Sequence, residues 1–304
     1  MKLGSLEQIR ALLAEVFHDS RYRTGYLEWL YRANPEGNEI SAYHEVDGRY
    51  RAHYVVIPQI WSNGDRLCKL ALSLDSAVAT ECRGIGLFTE LAKQVYAKAS
   101  AVGIAAIVGV GNANSTHGLI NKLGFAFVRP LPVSLTFVLP IKTGAQTIFA
   151  TDDWLAGPEF KRLAESVGAI PGGWARMWTP ECLRWRLSSP LGPYHLHLTP
   201  DGLAISRRIV QVGLPFAAIL KILPRGRTKK VDTAPLLRAA AYAQGTPLVV
   251  YAGWNAAAQV RGVSVPRVLL PRPLNLCFRQ LALTSPALDQ QLPSAFEFLD
   301  FDAY

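Results

Sequence analysis

The stretch Glu81-Cys82-Arg83-Gly84-Ile85-Gly86 is a glycine-rich corner that joins two segments of different periodicity. Residues 67–78 before it have the pattern of a long strand, and apolar residues recur at helical spacing from Leu87 onward. Backbone amides at the start of a helix point outward without partners, and the helix dipole adds positive potential there. The pattern therefore predicts a pyrophosphate-binding corner, in which Gly84 and Gly86 let the anion approach the backbone and Arg83 adds charge.

The corner does not match the common nucleotide-binding motifs. A P-loop ends in Gly-Lys-Ser/Thr, and a dinucleotide fingerprint has a third glycine with an acidic residue on the next strand. Neither pattern occurs here. The sequence around the corner, rather than the corner alone, has to identify the ligand.

Three landmarks follow the corner in order. They are an apolar run at 104–110 that is typical of a buried strand, an Asn-Ala-Asn-Ser loop at 112–115, and the turn Asn-Lys-Leu-Gly-Phe at 121–125. With these parts at these distances, residues 67–128 resemble the GNAT superfamily of acyl-CoA N-acyltransferases. The resemblance implies an α+β fold with a mixed α/β sheet that splays open between its fourth and fifth strands, with pantetheine in the split.

The resemblance also implies contacts for acetyl-CoA or another acyl-CoA. The edge of the strand at Ala77 and Val78 would hydrogen-bond to pantetheine, and Asn114 would face the cofactor from the loop after the buried strand. The main-chain amides that would bind the pyrophosphate are those of Arg83, Gly84, Ile85, Gly86 and Leu87.

The catalytic groups are less clear from the sequence. Many members of the family place a tyrosine, the acid for the leaving thiolate, two residues before the lysine of the Lys-x-Gly-Phe turn, and this chain has Ile120 there. The proton for CoA would then come from water or from another side chain, of which His117 is the nearest candidate, although it is equally well explained as a partly exposed loop histidine. Asp75, a charged residue in an apolar strand, is a candidate base for the acceptor amine, or it points to solvent.

The whole chain indicates two related halves. A helical stretch at 5–33 and hairpins at Asp47-Gly48 and Asn63-Gly64 precede the corner, and residues around Trp29 are echoed about 155 positions later around Trp185. We predict a GNAT acyltransferase domain at 1–140, a connecting segment at 141–174 and a degenerate GNAT-like domain at 175–304.

The second half lacks the glycine-rich corner, so it is expected to have lost CoA binding. Its predicted role is to close one wall of the acceptor pocket or to form a dimer contact. Four tryptophans are candidates either for stacking on an acceptor in this pocket or for the buried core: Trp29, Trp174, Trp178 and Trp185.

Composition narrows the class of partner. The 304 residues carry a formal net charge of +9, which favours a polyanionic partner, and without a basic helix interleaved with aromatic residues we expect phosphorylated small molecules rather than nucleic acid. The four cysteines lie far apart, which predicts neither a disulfide framework nor a metal site. No apolar run is long enough for a membrane span and the N-terminus has no signal-peptide pattern, so a cytoplasmic location is expected.

Two functions from different classes remain open at this point. One is an N-acyltransferase acting on a small-molecule amine, and tandem chains of this outline resemble bacterial enzymes that acylate nucleotide-linked amino deoxysugars for surface polysaccharide biosynthesis. An aminoglycoside, an amino acid or a protein amine is an alternative acceptor. The other function is a non-catalytic module that binds acyl-CoA.

Overall fold

The computed structural model of the chain describes residues 4–23, 25–281 and 292–301. Its α-helices are α1 (Leu6–Phe17), α2 (Leu87–Ala101), α3 (Ala113–Leu123), α4 (Asp152–Ala156), α5 (Pro158–Glu165), α6 (Pro180–Leu187) and α7 (Thr233–Gln244). Its strands are β1 (Ile40–Val46), β2 (Arg49–Asn63), β3 (Arg66–Ser73), β4 (Ala77–Val78), β5 (Ala106–Gly111), β6 (Ala126–Pro130), β7 (Val133–Phe137), β8 (Gln146–Phe149), β9 (Ala175–Arg176), β10 (His195–Leu198), β11 (Gly202–Gln211), β12 (Leu214–Pro224), β13 (Leu248–Asn255), β14 (Val263–Ser264), β15 (Asn275–Gln280) and β16 (Ala295–Glu297). Short 3-10 segments span Ser20–Arg23, Thr80–Cys82, Arg267–Leu269 and Phe298–Asp300, and a π-helical turn spans Glu28–Arg32.

The first sheet has the strand order β1-β2-β3-β5-β15-β6, with β4 and β9 also paired to β2. The predicted hairpin at Asp47-Gly48 is confirmed, because both residues have positive φ, as a two-residue type I′ turn requires. Strands β3 and β5 are parallel and are joined through the corner and α2. The predicted order of strand, corner, helix and buried strand is therefore confirmed.

The first sheet splits between β3 and β5. Their parallel pairing ends at Ser73 and Gly109, after which the chain continues as β4 along β2 while β5 pairs on its other side with β15. The single strand predicted at 67–78 is interrupted at Asp75, whose φ of 45° is left-handed. The predicted splay is thus present, with Ser73 and Gly109 at its vertex.

The second sheet has the order β14-β7-β13-β12-β11-β10-β8, and β16 pairs with the end of β13. The sheets exchange strands, since β7 comes before residue 140 but lies in the second sheet, whereas β15 comes after residue 175 and lies in the first. Sheet membership therefore does not follow the predicted division at 140 and 175. A sequence pattern gives strands but not their partners, which explains the difference.

The corresponding split of the second sheet is filled by the chain itself. Strands β12 and β13 are parallel only as far as Ile219 and Tyr251, and beyond that point β16 pairs with β13. The ammonium of buried Lys221 lies 2.9 Å from the Glu297 carboxylate and 2.7 Å from that of Asp300. In the second sheet, these groups occupy the position that corresponds to the open split of the first sheet.

Helices cover the two faces of the first sheet unequally. Helix α2 packs on β1 and β2 through the face that carries Tyr54 and Val56, and α3 joins the same core. The opposite face, which carries Val55 and Ile57, shares one core with α1, α5, α6 and the second sheet. The vertex of the split therefore has a face toward α2 and α3 and a face toward α1 and the second half.

The two halves meet at a reciprocal tryptophan pair. The rings of Trp29 and Trp185 stack with their centroids 5.0 Å apart. The indole N–H of Trp29 donates to the carbonyl of Trp185 at 2.6 Å, and that of Trp185 donates to the carbonyl of Trp29 at 2.8 Å. Trp29 and Trp185 are equivalent positions of the predicted repeats, and each donates to the carbonyl of the other, as residues related by a two-fold axis do. This symmetry supports the duplication.

Within the described ranges, no helix combines the length and the hydropathy that crossing a bilayer requires.

Candidate acyl-CoA site

The corner forms as the sequence predicts. Gly84 and Gly86 have φ of 85° and 87°, conformations that strain other L-residues, and no protein atom lies within 4 Å of a Cβ built on either of them. Gly86 is the N-cap of α2, and no side chain caps this helix. Residues 83–86 are exposed, so the start of α2 is open to a ligand.

The free amides are fewer than predicted. The N–H of Arg83 donates to the carbonyl of Thr80 at 3.3 Å, so Arg83 is not among them. In the described part of the chain, the N–H groups of Gly84, Ile85, Gly86 and Leu87 have no hydrogen-bond partner. Four adjacent amides at a helix start make a cradle for a diphosphate.

The strand edge beside the corner offers one residue rather than two. The N–H of Ala79 donates to the carbonyl of Arg51, and antiparallel alternation then turns the peptide groups of Ala77 toward β2 and those of Val78 toward the split. The Val78 carbonyl accepts from the Nε of Arg83 at 3.2 Å. The Val78 N–H thus faces the split, whereas the peptide groups of Ala77 face β2.

Asp75 lies in the bulge between β3 and β4, close to the vertex. Its Oδ1 accepts a hydrogen bond from the Tyr22 hydroxyl at 2.6 Å. Burial and the neighbouring Asp75 charge raise the pKa of Tyr22 well above its ordinary value, so the phenol remains a donor. Asp75 thus faces the α1 side of the sheet and does not point freely into solvent.

Two further polar residues near Asp75 were missed by sequence reasoning. His53 is fully buried on the same face, and burial lowers the pKa of its imidazole to about 4, an effect partly offset by the Asp75 backbone. The ring of Tyr31 lies 6.1 Å from that of His53, and burial raises the pKa of its phenol. Their only sequence signal was polarity within apolar segments, which also fits a satisfied core residue.

The two candidates on α3 lie on the other face of the sheet. His117 is exposed, and its Nδ1 is 2.8 Å from the Asn121 amide nitrogen. Asn114 falls in the first turn of α3 rather than in a loop, because Asn112 already starts the helix by accepting from the Ser115 N–H. The side chain of Asn114 is outside the described part of the structure.

The tryptophans considered for an acceptor pocket are buried. Trp29 and Trp185 stack on each other, and Trp178 packs under the guanidinium of Arg176 at 4.6 Å. Trp174 is also buried. Their aromatic surface is thus used mainly in the core between the two halves, as the alternative interpretation expected.

The equivalent site in the second half does not suit an anion. The start of α7 is capped by Asp232, whose carboxylate accepts from the Ala234 N–H at 3.1 Å. A carboxylate at this position repels a diphosphate. Together with the filled split, this cap agrees with the expectation that the second half is a degenerate repeat.

The described residues contain no group of three or more His, Cys, Asp or Glu side chains arranged to hold a metal ion.

Comparison with solved structures identifies the fold. A GCN5-related N-acetyltransferase from Anabaena variabilis superposes with a TM-score of 0.58 at 14% identity, covering 91% of this chain and 71% of that one. N-myristoyltransferase from Saccharomyces cerevisiae with bound myristoyl-CoA gives 0.54 at 10% identity, covering 90% and 79%. A tandem GNAT protein from the clavulanic acid biosynthesis pathway gives 0.52 at 9% identity, covering 92% and 96%.

No protein-family model and no curated protein matches the sequence. The three structures compared above are all below 25% identity, so they identify architecture rather than activity. With its split first sheet, its filled second sheet and the exchanged strands, the chain has the GNAT fold in a tandem arrangement.

Proposed function

We propose that the chain is an acyl-CoA-dependent acyltransferase that transfers an acyl group to the amine of a small acceptor. The observation that carries the proposal is the run of unpaired amides at Gly84–Leu87 beside the open strand edge at Val78. Such a run suits a diphosphate, and the edge beside it suits an amide-containing arm. CoA combines both features in one molecule, and acetyl-CoA is the simplest donor of this kind.

The carboxylate of Asp75 is the proposed acceptor of the amine proton. A protonated amine cannot attack a thioester, so a base near the vertex accelerates the reaction. An ionised carboxylate has about four lone-pair sites and can bind an ammonium group while it accepts from Tyr22. We keep His117 as a proposed proton source for CoA after transfer, because it lies on the cofactor side of the sheet.

The finer proposal for the acceptor is a nucleotide-linked amino deoxysugar. Net charge supports it, since a chain of +9 favours two phosphorylated ligands in one cleft. Residues 225–230 contain two arginines and two lysines, but the guanidinium of Arg225 donates to the Ser166 hydroxyl and to the Thr199 carbonyl, so this cluster adds little support. Aminoglycosides, amino acids and protein amines therefore belong in the same test.

A second candidate is a non-catalytic module that binds acyl-CoA. The filled split of the second half favours it, since one half has visibly lost the open geometry. Both candidates require the corner to bind CoA, and only the enzyme requires Asp75 to act on an amine.

The deciding experiment joins calorimetry of CoA with a thiol-release assay. The full chain is mixed with acetyl-CoA and with a nucleotide-linked amino deoxysugar, kanamycin, lysine or a lysine peptide, and free thiol is followed. We expect CoA binding and amine-dependent release. Asp75→Asn should lower that release by roughly 10²-fold or more at unchanged CoA affinity, because proton transfer to a placed side chain contributes this much.

Asn is the suitable replacement because it tolerates the left-handed φ of position 75. The matched control is Asp47→Asn, an exposed turn position of φ 49° that should leave release unchanged. CoA binding without amine-dependent release across the panel would favour the binding module. Absence of CoA binding would overturn both candidates.

A further inference from the structure

Three hydroxyl groups form a hydrogen-bonded chain that ends at the vertex of the split. Ser73 is the last residue of β3 that pairs with β5, and its Oγ lies 3.0 Å from the Oη of Tyr54. The Oη of Tyr54 lies 2.7 Å from that of Tyr96 on α2. The chain thus runs from the helix that begins at the corner to the point where the sheet opens.

This chain lies on the cofactor side of the first sheet. Tyr54 and Tyr96 belong to the core shared with α2 and α3, and the ring of Phe88 in the first turn of α2 packs edge-on against Tyr54 at 5.3 Å. Asp75 and Tyr22 are on the other side, in the core shared with α1. The vertex therefore has a hydroxyl on one face and a carboxylate on the opposite face.

The position of Ser73 matches the reach of the donor arm. A molecule held by its diphosphate at the start of α2 can follow the strand edge only as far as the first closed pair, Ser73 and Gly109. Val78 and Ser73 are five positions apart in the sequence, a span of at most about 16 Å for extended chain. An extended pantetheine arm is of comparable length, so its thiol end comes to the vertex.

Helix α3 supplies no phenol at the position that the family resemblance singles out, because Ile120 stands there. At the position where many family members carry the acid, α3 therefore has an aliphatic side chain instead of a hydroxyl. The sheet itself provides hydrogen-bonded hydroxyl groups at the vertex, on β2 and β3.

We propose that the Ser73 hydroxyl donates a hydrogen bond to the thioester sulfur as the carbon–sulfur bond breaks, and that Tyr54 and Tyr96 orient it. The inference rests on the proposed acyltransferase function and adds the residue that stabilises the leaving group. Ser73 is then a catalytic residue, since it touches the reacting sulfur, and the two tyrosines are positioning residues.

The step balances in atoms and charge. The amine nitrogen attacks the thioester carbonyl carbon, a carbon–nitrogen bond forms, and the nitrogen proton goes to the Asp75 carboxylate. The electron pair of the carbon–sulfur bond leaves with sulfur as CoA thiolate, which accepts the Ser73 hydrogen bond. The thiolate then takes its proton from His117, the proton source proposed above, or from solvent after release.

In the proposed arrangement Tyr96 donates to Tyr54 and Tyr54 donates to Ser73. A hydroxyl donates once and accepts through two lone pairs, so a Ser73 oxygen that accepts from Tyr54 keeps its own hydrogen for sulfur. Burial raises the pKa of both tyrosines above the ordinary value, which keeps them protonated near neutral pH. The guanidinium of Arg279, on the strand contributed by the second half, lies 4.9 Å from the Tyr96 ring.

The first test compares two substitutions of Ser73 in the full chain. Ser73→Ala removes the donor, and Ser73→Thr keeps a hydroxyl and suits a strand. With acetyl-CoA and an amine that the wild-type chain acylates, we expect Ser73→Ala to lower kcat roughly 10²-fold, the effect of removing one placed donor. KM for acetyl-CoA should be unchanged, and Ser73→Thr should retain most of the activity.

The second test addresses the positioning residues. Tyr54→Phe should lower kcat by roughly 10-fold or more, and adding it to Ser73→Ala should cause little further loss, because both act through one hydrogen bond. The matched control is Tyr251→Phe, which removes another buried, hydrogen-bonded phenol from the second half and should leave kcat unchanged.

Because neutral donors do not titrate, the Ser73→Ala deficit should be equal at pH 7 and pH 9. Calorimetry of CoA binding confirms that each variant folds around the corner. Full kcat in Ser73→Ala, or an equal loss in Ser73→Thr, would overturn the inference while the acyltransferase proposal stands. A wild-type chain with no amine-dependent thiol release would instead overturn the proposed function, and the inference with it.

Discussion

At the scale of single residues, the candidate site depends on backbone conformations that few residues tolerate. Gly84 and Gly86 have positive φ, and this conformation leaves the four amides of residues 84–87 exposed. Asp75 has a φ of 45° and interrupts the strand. A non-glycine residue in this region costs of order 1–3 kcal/mol and persists only where the surrounding structure holds it. Asp75 is held by Tyr22 through a hydrogen bond of 2.6 Å.

Replacing the corner glycines tests the anion cradle. Gly84→Ala and Gly86→Ala should weaken acetyl-CoA binding at least 10-fold in calorimetry, because alanine strains the left-handed backbone that presents the amides. Each should also lower the free energy of unfolding by about 1 kcal/mol. Unchanged CoA affinity in both variants would contradict the assignment of the corner.

Gly64 provides the matched control for this comparison. It has a φ of 60° and, like the corner glycines, no protein atom within 4 Å of a built Cβ, but it lies in a hairpin turn. Gly64→Ala should cost similar stability and leave CoA affinity at the wild-type value.

At the scale of elements, the same strand-loop-helix unit occurs in both halves with opposite chemistry at the helix start. Helix α2 begins at a glycine with exposed amides, whereas α7 begins at Asp232, whose carboxylate satisfies an amide from within. The unit is thus a scaffold in both halves, and the capping residue decides whether the helix start is open to an anion. The same logic applies to the split, which Lys221 and its partners fill in the second half.

The π-helical turn Glu28–Arg32 and helix α6 join the two halves through Trp29 and Trp185. Trp29→Phe and Trp185→Phe should each lower the free energy of unfolding by about 1–3 kcal/mol, because each removes a buried hydrogen bond between the halves and part of the stacked indole surface. Their effects should not add, with a coupling of at least about 0.5 kcal/mol in a urea-denaturation cycle.

Trp154→Phe serves as the reference for loss of an indole N–H at a half-buried position in α4. It should change stability by less than either member of the pair. Strict additivity of the Trp29 and Trp185 substitutions would argue against a shared interface between the repeats.

At the scale of the whole molecule, the two sheets are tied together by exchanged strands and by the C-terminal segment. Strand β15 completes the first sheet beside β5, and β16 with the following 3-10 turn fills the second split. The carboxylates of Glu297 and Asp300 share the single ammonium of Lys221, and all three groups are buried. A cluster of two carboxylates and one cation is neutral only if it holds one extra proton.

This cluster makes stability depend on pH. Burial raises the pKa of Glu297 from 4.5 to about 7. The positive charge of Lys221 opposes this increase, and the negative charge of Asp300 adds to it. Between these values the folded chain holds a proton that the unfolded chain has released, so the free energy of unfolding should fall as pH rises from about 4.5 to about 7. Urea denaturation across this range measures the slope.

Glu297→Gln replaces the titrating carboxyl by a neutral amide of the same shape. Its stability should lose most of this slope, so the difference between variant and wild type changes with pH. Parallel curves for the two proteins would show that Glu297 does not titrate in this window.

Local sequence patterns were sufficient to predict the elements and the glycine-rich corner of the first half. Turn residues, apolar periodicity and the glycine-rich corner are read within a few neighbours, so the hairpin at Asp47-Gly48, helix α2 and the buried strand β5 followed from pattern alone. The repeat around Trp29 and Trp185 was also visible, because related halves keep similar residues at similar spacing. The resemblance of residues 67–128 to the GNAT superfamily indicated the fold.

Which strands share a sheet and which polar groups meet at the vertex became clear from the folded chain alone. Strand partners depend on contacts between residues far apart in the chain, so β7 and β15 could not be assigned to the opposite half from their own residues. The N–H of Arg83 is unavailable to a ligand because it donates within a 3-10 turn, and the peptide groups of Ala77 are unavailable because they pair with β2. The neighbours of the vertex, Tyr54 beside Ser73 and Tyr22 beside Asp75, are brought together only by folding, because they lie 19 and 53 residues apart.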